Sequence, residues 1–124
     1  MHLKLDPSLP IYQQLMDGIC QAVARGELKP GAKVPSQREL AEGAHVNPNT
    51  VQRAYRELEL LGLVETRRGE GTFIREEPAL LQRIRGQLAA EALARFLKEM
   101  HALGFTDAEI VQRIETALKG DVSP

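Results

Sequence analysis

Apolar residues recur along the chain at spacings that name the elements in turn. Ile11, Leu15, Ile19 and Val23 fall every fourth position, and Met16, Cys20 and Ala22 widen the stripe. That periodicity predicts an amphipathic helix over residues 10–25, with Pro10 in its first turn and Gly26 as its stop. A connection rich in Pro and Gly follows over 27–35. Ser36 and Glu39 stand three apart, a capping box that starts a short second helix. Its Leu40 and Ala41 face inward and Gly43 ends it. A turn, Ala44-His45-Val46, leads on, with Val46 expected to plug the gap between neighbouring helices. Asn47 as N-cap and Pro48 in the first turn open a third helix. Val51, Ala54, Tyr55, Leu58 and Leu61 form its apolar face, and Asn49, Gln52, Arg53 and Arg56 lie opposite. Gly62 closes it.

Periodicity then switches from helical to alternating. Residues 63–66 and 71–75 are β-prone and flank the turn Arg67-Arg68-Gly69-Glu70-Gly71, which predicts a hairpin. Such a hairpin is too small to stand alone and must pack on the helices. Beyond Pro78 the helical period returns. Leu81, Ile84, Leu88, Ala92 and Phe96 mark one stripe, extended by Ala89, Leu93, Leu97 and Met100. This long helix, over 78–103, would run roughly 39 Å. Gly104 stops it. A second capping box, Thr106 to Glu109, starts a last helix carrying Ile110, Val111, Ile114 and Leu118 and ending at Gly120.

The order defines a fold class: mostly α with a small β-hairpin, an N-terminal winged helix-turn-helix at residues 1–76 and a C-terminal two-helix tail at 77–124. Two helices joined by a turn of three or four residues make the helix-turn-helix, and the hairpin after them makes it winged.

Size and composition change this picture little. The 124 residues suit one small domain with an appendage, and 4% aromatic content with no Trp suits a small aliphatic core. No apolar run approaches the ~18–20 residues of a membrane span. The N-terminus does not read as a secretory signal, and a single cysteine, Cys20, cannot make an internal disulfide, so a cytoplasmic protein is expected. Charge counts against the simplest view of a nucleic-acid binder. The net is −1 overall, and residues 1–75 hold ten basic against nine acidic side chains. What matters is therefore where the charges sit.

A helix fits the major groove, and its N-terminal residues reach base edges first. In the third helix those are Asn49, Thr50, Gln52 and Arg53. Amides pair bidentately with adenine and Arg with guanine. The helix N-terminus adds N–H groups and positive dipole character for a phosphate. Ser36 and Arg38 are placed for backbone contact. In the wing, Arg67 and Arg68 flank glycines that let the main chain approach DNA. Each feature alone fits a solvated surface; their conjunction points to double-stranded DNA.

Two other readings make different demands on the residues. A winged-helix module that binds protein would leave Arg53 and Arg68 dispensable. An enzyme lacks support: His2, His45 and His101 have no metal-ligand spacing, Cys20 lies on an apolar helix face, and no triad or carboxylate pair is suggested. No catalytic residue, metal or cofactor is expected.

The first half of the chain carries the runs Pro10-Ile11-Tyr12-Gln13-Gln14-Leu15, Gly26-Glu27-Leu28-Lys29-Pro30-Gly31 and Val34-Pro35-Ser36-Gln37-Arg38-Glu39-Leu40-Ala41. Val46-Asn47-Pro48-Asn49-Thr50-Val51-Gln52-Arg53-Ala54-Tyr55, Leu58-Glu59, Gly62-Leu63-Val64 and Arg68-Gly69-Glu70-Gly71-Thr72-Phe73 follow them. Together, over residues 10–75, these runs resemble the N-terminal domain of GntR-family regulators. The resemblance implies DNA contacts from Arg38, from Asn47, Asn49, Thr50, Gln52 and Arg53, and from Gly71. Some members carry Arg where this chain has Pro48 and Gln52, so operator sequence does not transfer. The short tail is similar to that of the YtrA-like subfamily, where it serves dimerisation and where regulators are often tied to transporter operons.

A homodimer also follows from the tail stripe itself (Leu81, Ile84, Leu88, Ala92, Phe96), which is broader than one small domain covers. A tail that folds back on its own winged domain is the alternative. A two-fold dimer predicts a palindromic operator, with repression by occupancy as the simplest mode. A small-molecule effector fits only between subunits or at the tail–domain junction, because the tail is too small to enclose a ligand within one subunit.

Overall fold

The computed structural model describes residues 3–120, so His2 lies outside the described residues. The elements are α1 (Ile11–Ala24), α2 (Gln37–Ala44), α3 (Pro48–Leu60), β1 (Val64–Arg67), β2 (Gly71–Ile74), α4 (Leu80–Ala102) and α5 (Asp107–Leu118). The chain is a winged helix-turn-helix followed by C-terminal helices. It divides into two compact units at Gly86–Gln87.

The core of the first unit forms where α3 packs against α1, α2 and β1. Leu15, Ile19, Ala22 and Val23 of α1 are buried, as are Val51, Ala54, Tyr55 and Leu58 of α3. These are the positions that helical periodicity selects. Leu61 departs from it: it lies past the last turn and is 66% exposed. Pro10 sits just ahead of α1 rather than inside it. Its place as a cap is supported by Gln14, whose amide Nε2 donates to the carbonyls of Asp6 and Leu9 while its Oε1 accepts from the Asp6 N–H.

The second helix starts as its capping box dictates, with Ser36 Oγ accepting from the Glu39 N–H at 3.0 Å. Gly43 does not end it. The helix runs one residue further and closes through His45, which adopts φ +54 while the Val46 N–H returns to the Ala41 carbonyl. That is the six-to-one bond of a Schellman cap, a place usually given to glycine. A side chain in left-handed backbone costs roughly 1–2 kcal/mol. His45→Gly is therefore expected to stabilise the first unit by about 1 kcal/mol, raising Tm by about 4 °C. A calorimetric scan showing no rise would mean that the imidazole makes a compensating contact.

Asn47 Oδ1 accepts from the Asn49 N–H at 2.8 Å and opens α3. Gly62, at φ +77, ends it, with the Leu63 N–H bonded to the Leu58 carbonyl, and the chain passes directly into β1.

In the wing, β1 and β2 pair antiparallel from Val64 opposite Ile74 to Arg67 opposite Gly71. A third segment, not anticipated from sequence, completes it. Lys33 bridges Phe73, the Val34 N–H donates to the Thr72 carbonyl, and the Ile74 N–H donates to the Ala32 carbonyl. The connection before α2 thus runs along the edge of the two-stranded sheet, bridged to it at Lys33, and Val34, Val64 and Ile74 are buried. This added edge meets the need for support that a lone hairpin has.

The first turns of α4 belong to the first unit, where Leu80 and Ile84 are buried. Leu80 was missed from sequence in favour of its neighbour Leu81, which is half-buried. Apolar positions wind around α4: Leu93 lies about 140° around the helix from Leu80 at 100° per residue. In the second unit Leu88 and Phe96 are half-buried and Ala92 is exposed. Gly104, at φ +91, caps α4, with the Phe105 N–H on the Met100 carbonyl. Thr106 and Glu109 then form the second capping box, and hydrogen bonding from the Thr106 backbone N–H and then its side chain holds the Glu109 carboxyl below the usual carboxylate range. His101 Nε2 meets Asp107 Oδ1 at 2.7 Å, and the Arg113 guanidinium lies over Phe105. Ile110 is the buried residue of α5.

Candidate nucleic-acid interface

The helix that would enter a groove is two-faced. Its buried residues point to α1, α2 and β1, while Asn49, Gln52, Arg53 and Arg56 are exposed and Thr50 is half-buried. A long-range bond braces this helix from below: the Tyr55 hydroxyl donates to the Pro35 carbonyl at 2.5 Å. Burial, and then the Glu39 carboxylate, push the Tyr55 phenol well above its ordinary value, so it stays a donor. The bond fixes α3 against the segment leading into α2.

The N-terminus of α3 offers less than expected to a phosphate. Pro48 has no N–H. The Asn49 N–H is taken by the Asn47 side chain and the Thr50 N–H by the Asn47 carbonyl. The helix dipole remains, but Asn47 acts here as a cap.

The basic side chains differ in how far they are committed. Arg38 pairs with Glu42 at 3.2 Å, yet its side chain is 88% exposed. Such a surface pair is worth about 0–1 kcal/mol and yields readily to a phosphate. Ser36 is exposed beside it, its hydroxyl engaged in the cap. The Arg53 guanidinium lies 3.8 Å from the centroid of the Tyr12 ring of α1. Arg67 is the most committed. It lies over the Phe73 ring, and both its Nε and Nη2 donate to Glu65 Oε1. That hydrogen bonding holds its pKa above the ordinary value. In this geometry it stiffens the wing rather than projecting from it. Arg68 is exposed at the hairpin turn.

Gly71 has φ +122, and a Cβ there would lie 2.8 Å from Lys33 Cε. The backbone demands glycine there, and a Cβ would also push the flexible end of Lys33 aside. The same contact brings Lys33, exposed on the added edge segment, beside the wing turn. Lys33 was not among the residues singled out from sequence. Its only local signal is the extended alternation of Ala32, Lys33 and Val34, too short to stand out from a loop.

A recognition helix with a polar outer face, supported by a second helix and followed by a wing, defines the class of winged helix-turn-helix transcription regulators. The sequence profile of bacterial regulatory proteins of the gntR family matches residues 11–74. The chain belongs to the GntR family and is a DNA-binding transcription regulator, not an enzyme. The HTH-type transcriptional regulator YhcF of Bacillus subtilis is 46% identical over 120 residues, covering 97% of this chain and 99% of that one. The HTH-type transcriptional repressor YtrA of the same organism is 49% identical over 76 residues, 60% of this chain and 58% of its own. A GntR family regulator from Listeria monocytogenes has a TM-score of 0.83 at 34% identity, covering 90% of this chain and 98% of that one. The DNA-binding domain of AraR in complex with operator ORR3 has a TM-score of 0.52 at 30% identity, over 60% of this chain and 89% of that one. The chain fits the YtrA-like subfamily. Among the described residues no helix is long and apolar enough to cross a membrane.

Proposed function

We propose that this regulator is a dimeric repressor that occupies a palindromic operator, each subunit reading one half-site with α3. The segregation of α3 into a buried apolar face and an exposed face of Asn49, Gln52 and Arg53 carries this reading. Thr50 joins the readers at the margin. Arg38, Arg68 and Lys33 supply phosphate contacts, and Gly71 brings the wing backbone close. The tail from residue 77 supplies the dimer contact through Leu88, Ala92 and Phe96, together with Leu93, Leu103, Val111 and Leu118, which the chain leaves exposed. Leu81 contributes at the edge; Ile84 is buried by its own chain and has little surface left for a partner. Half-sites about one helical turn apart follow from two-fold pairing. Control of a transporter-type operon rests on the YtrA-like kinship, and repression is supported by the repressors among the relatives.

The test selects a preferred duplex from a random library and compares it by fluorescence anisotropy with a shuffled duplex of equal composition. A preference of about 10³-fold or more is expected. Arg53→Ala should weaken the preferred duplex by about 5- to 150-fold with little change on the shuffled one. Arg68→Ala and Lys33→Ala should each weaken both duplexes and lower the salt slope by about one. Equal weak binding to every duplex, unaltered by these substitutions, would overturn the reading in favour of a protein-binding winged module.

A further inference from the structure

We propose that Tyr12 of α1 is a positioning residue for base readout: its ring is the platform on which the Arg53 guanidinium is held ready for a base edge. The inference rests on the reading of Arg53 as a base contact. Arg53 is exposed on the outer face of α3, yet its guanidinium does not project freely. It lies 3.8 Å from the centroid of the Tyr12 ring, well inside the range of a cation–π contact. Tyr12 is half-buried in the first turn of α1, and Leu15 and Met16, three and four residues on, are both buried. Those spacings place the ring beside the core-facing stripe of α1. That stripe packs on α3, so platform and guanidinium are carried by two helices locked to each other.

The kind of contact matters as much as the distance. Stacking engages the flat face of the guanidinium and leaves its in-plane N–H donors unspent. A guanine O6/N7 edge is recognised by those in-plane donors. Arg67 shows the opposite case on the same unit, since its Nε and Nη2 are given to Glu65. Arg53 is instead held against a ring face, a contact that does not consume its donors. A long Arg side chain that must order itself on docking loses affinity in doing so; one ordered in the free protein has already met that cost.

The experiment is a double-mutant cycle on the full chain, with Tyr12→Leu, Tyr12→Phe, Arg53→Ala and Tyr12→Leu/Arg53→Ala measured against the selected and shuffled duplexes. Tyr12→Leu is expected to weaken the selected duplex by about two- to fivefold, as an exposed cation–π contact implies, and to leave the shuffled duplex unchanged. Tyr12→Phe, which keeps the ring, should restore wild-type preference. In the Arg53→Ala background Tyr12→Leu should have no further effect. The proposal is overturned if Tyr12→Leu weakens both duplexes alike, if its effect persists without Arg53, or if Tyr12→Phe is as damaging as Tyr12→Leu. The last result would make the hydroxyl a direct DNA contact. A melting midpoint common to all variants separates these outcomes from loss of fold. If Arg53→Ala itself has no effect, the assignment of Arg53 as a base reader fails, and the positioning role with it. If Arg53→Ala behaves as expected and Tyr12→Leu does not, only the positioning role fails.

Discussion

Leu93→Asp combined with Val111→Asp is expected to give a folded monomer that binds a palindromic duplex about 100-fold or more weakly than the native chain. Both side chains are slightly more than half exposed within one chain, so aspartate there meets water in the monomer. In a dimer contact the same carboxylates would be drawn out of water without partners, at an effective cost of several kcal/mol per ion. Loss of the dimer removes the advantage of two tethered recognition helices, worth about 10²–10⁴ in affinity. A duplex holding a single half-site should be bound as before. Light scattering gives the mass, and anisotropy on the two duplexes gives the affinities. A variant that stays dimeric would move the contact away from these residues. A monomer that binds the palindrome undiminished would remove dimerisation from the operator reading. Point substitution is the right tool, because a chain ending near residue 77 loses Leu80 and Ile84, which are buried in the winged unit.

Leu58→Ala should be the most damaging single change to the first unit. The side chain is fully buried on α3, the helix that packs against α1, α2 and β1, and its carbonyl receives the Leu63 N–H that turns the chain into the wing. Removing its branched end leaves a cavity in that core. Such replacements cost about 2–5 kcal/mol, a large part of the roughly 5–15 kcal/mol that a domain has. Tm should fall by about 10 °C or more. Leu61→Ala, three residues on along the same apolar spacing, should cost less than about 0.5 kcal/mol because Leu61 stands in solvent. Paired thermal scans decide. Equal losses would mean that Leu61 is covered in the folded molecule.

What could be seen in the sequence was whatever a few neighbouring residues decide together. Ser36 with Glu39 and Thr106 with Glu109 each close a helix start within four residues, and both boxes form. Asn47-Pro48 and Gly62 bracket α3 in the same local way. The legible part of the interface was of this kind too: the outer face of α3 follows from helical period alone. The hidden part depends on distant partners. Lys33 becomes a wing residue only because Phe73 pairs with it. Arg53 and Arg67 carry equal charge in sequence, and only the fold sets one against the Tyr12 ring and the other against Phe73 and Glu65. Leu80 and Leu81 are indistinguishable by type, and the packing of the first unit selects between them. Gly43 looked like a helix stop because glycine suits that place, yet the backbone took its left-handed turn two residues later at His45.

The division of α3 into two faces bears on how such a regulator changes allegiance. Asn49, Gln52, Arg53 and Arg56 bear no load in the core, while Val51, Ala54, Tyr55 and Leu58 bear nearly all that the helix contributes. Surface substitutions away from special features usually shift stability by no more than about 0.5 kcal/mol. On the proposed reading of that outer face, a mutation there would rewrite the address that the protein recognises while the scaffold that delivers it stays intact. Duplicated copies of one gene would then drift to separate operators by single steps, each passing through a folded intermediate.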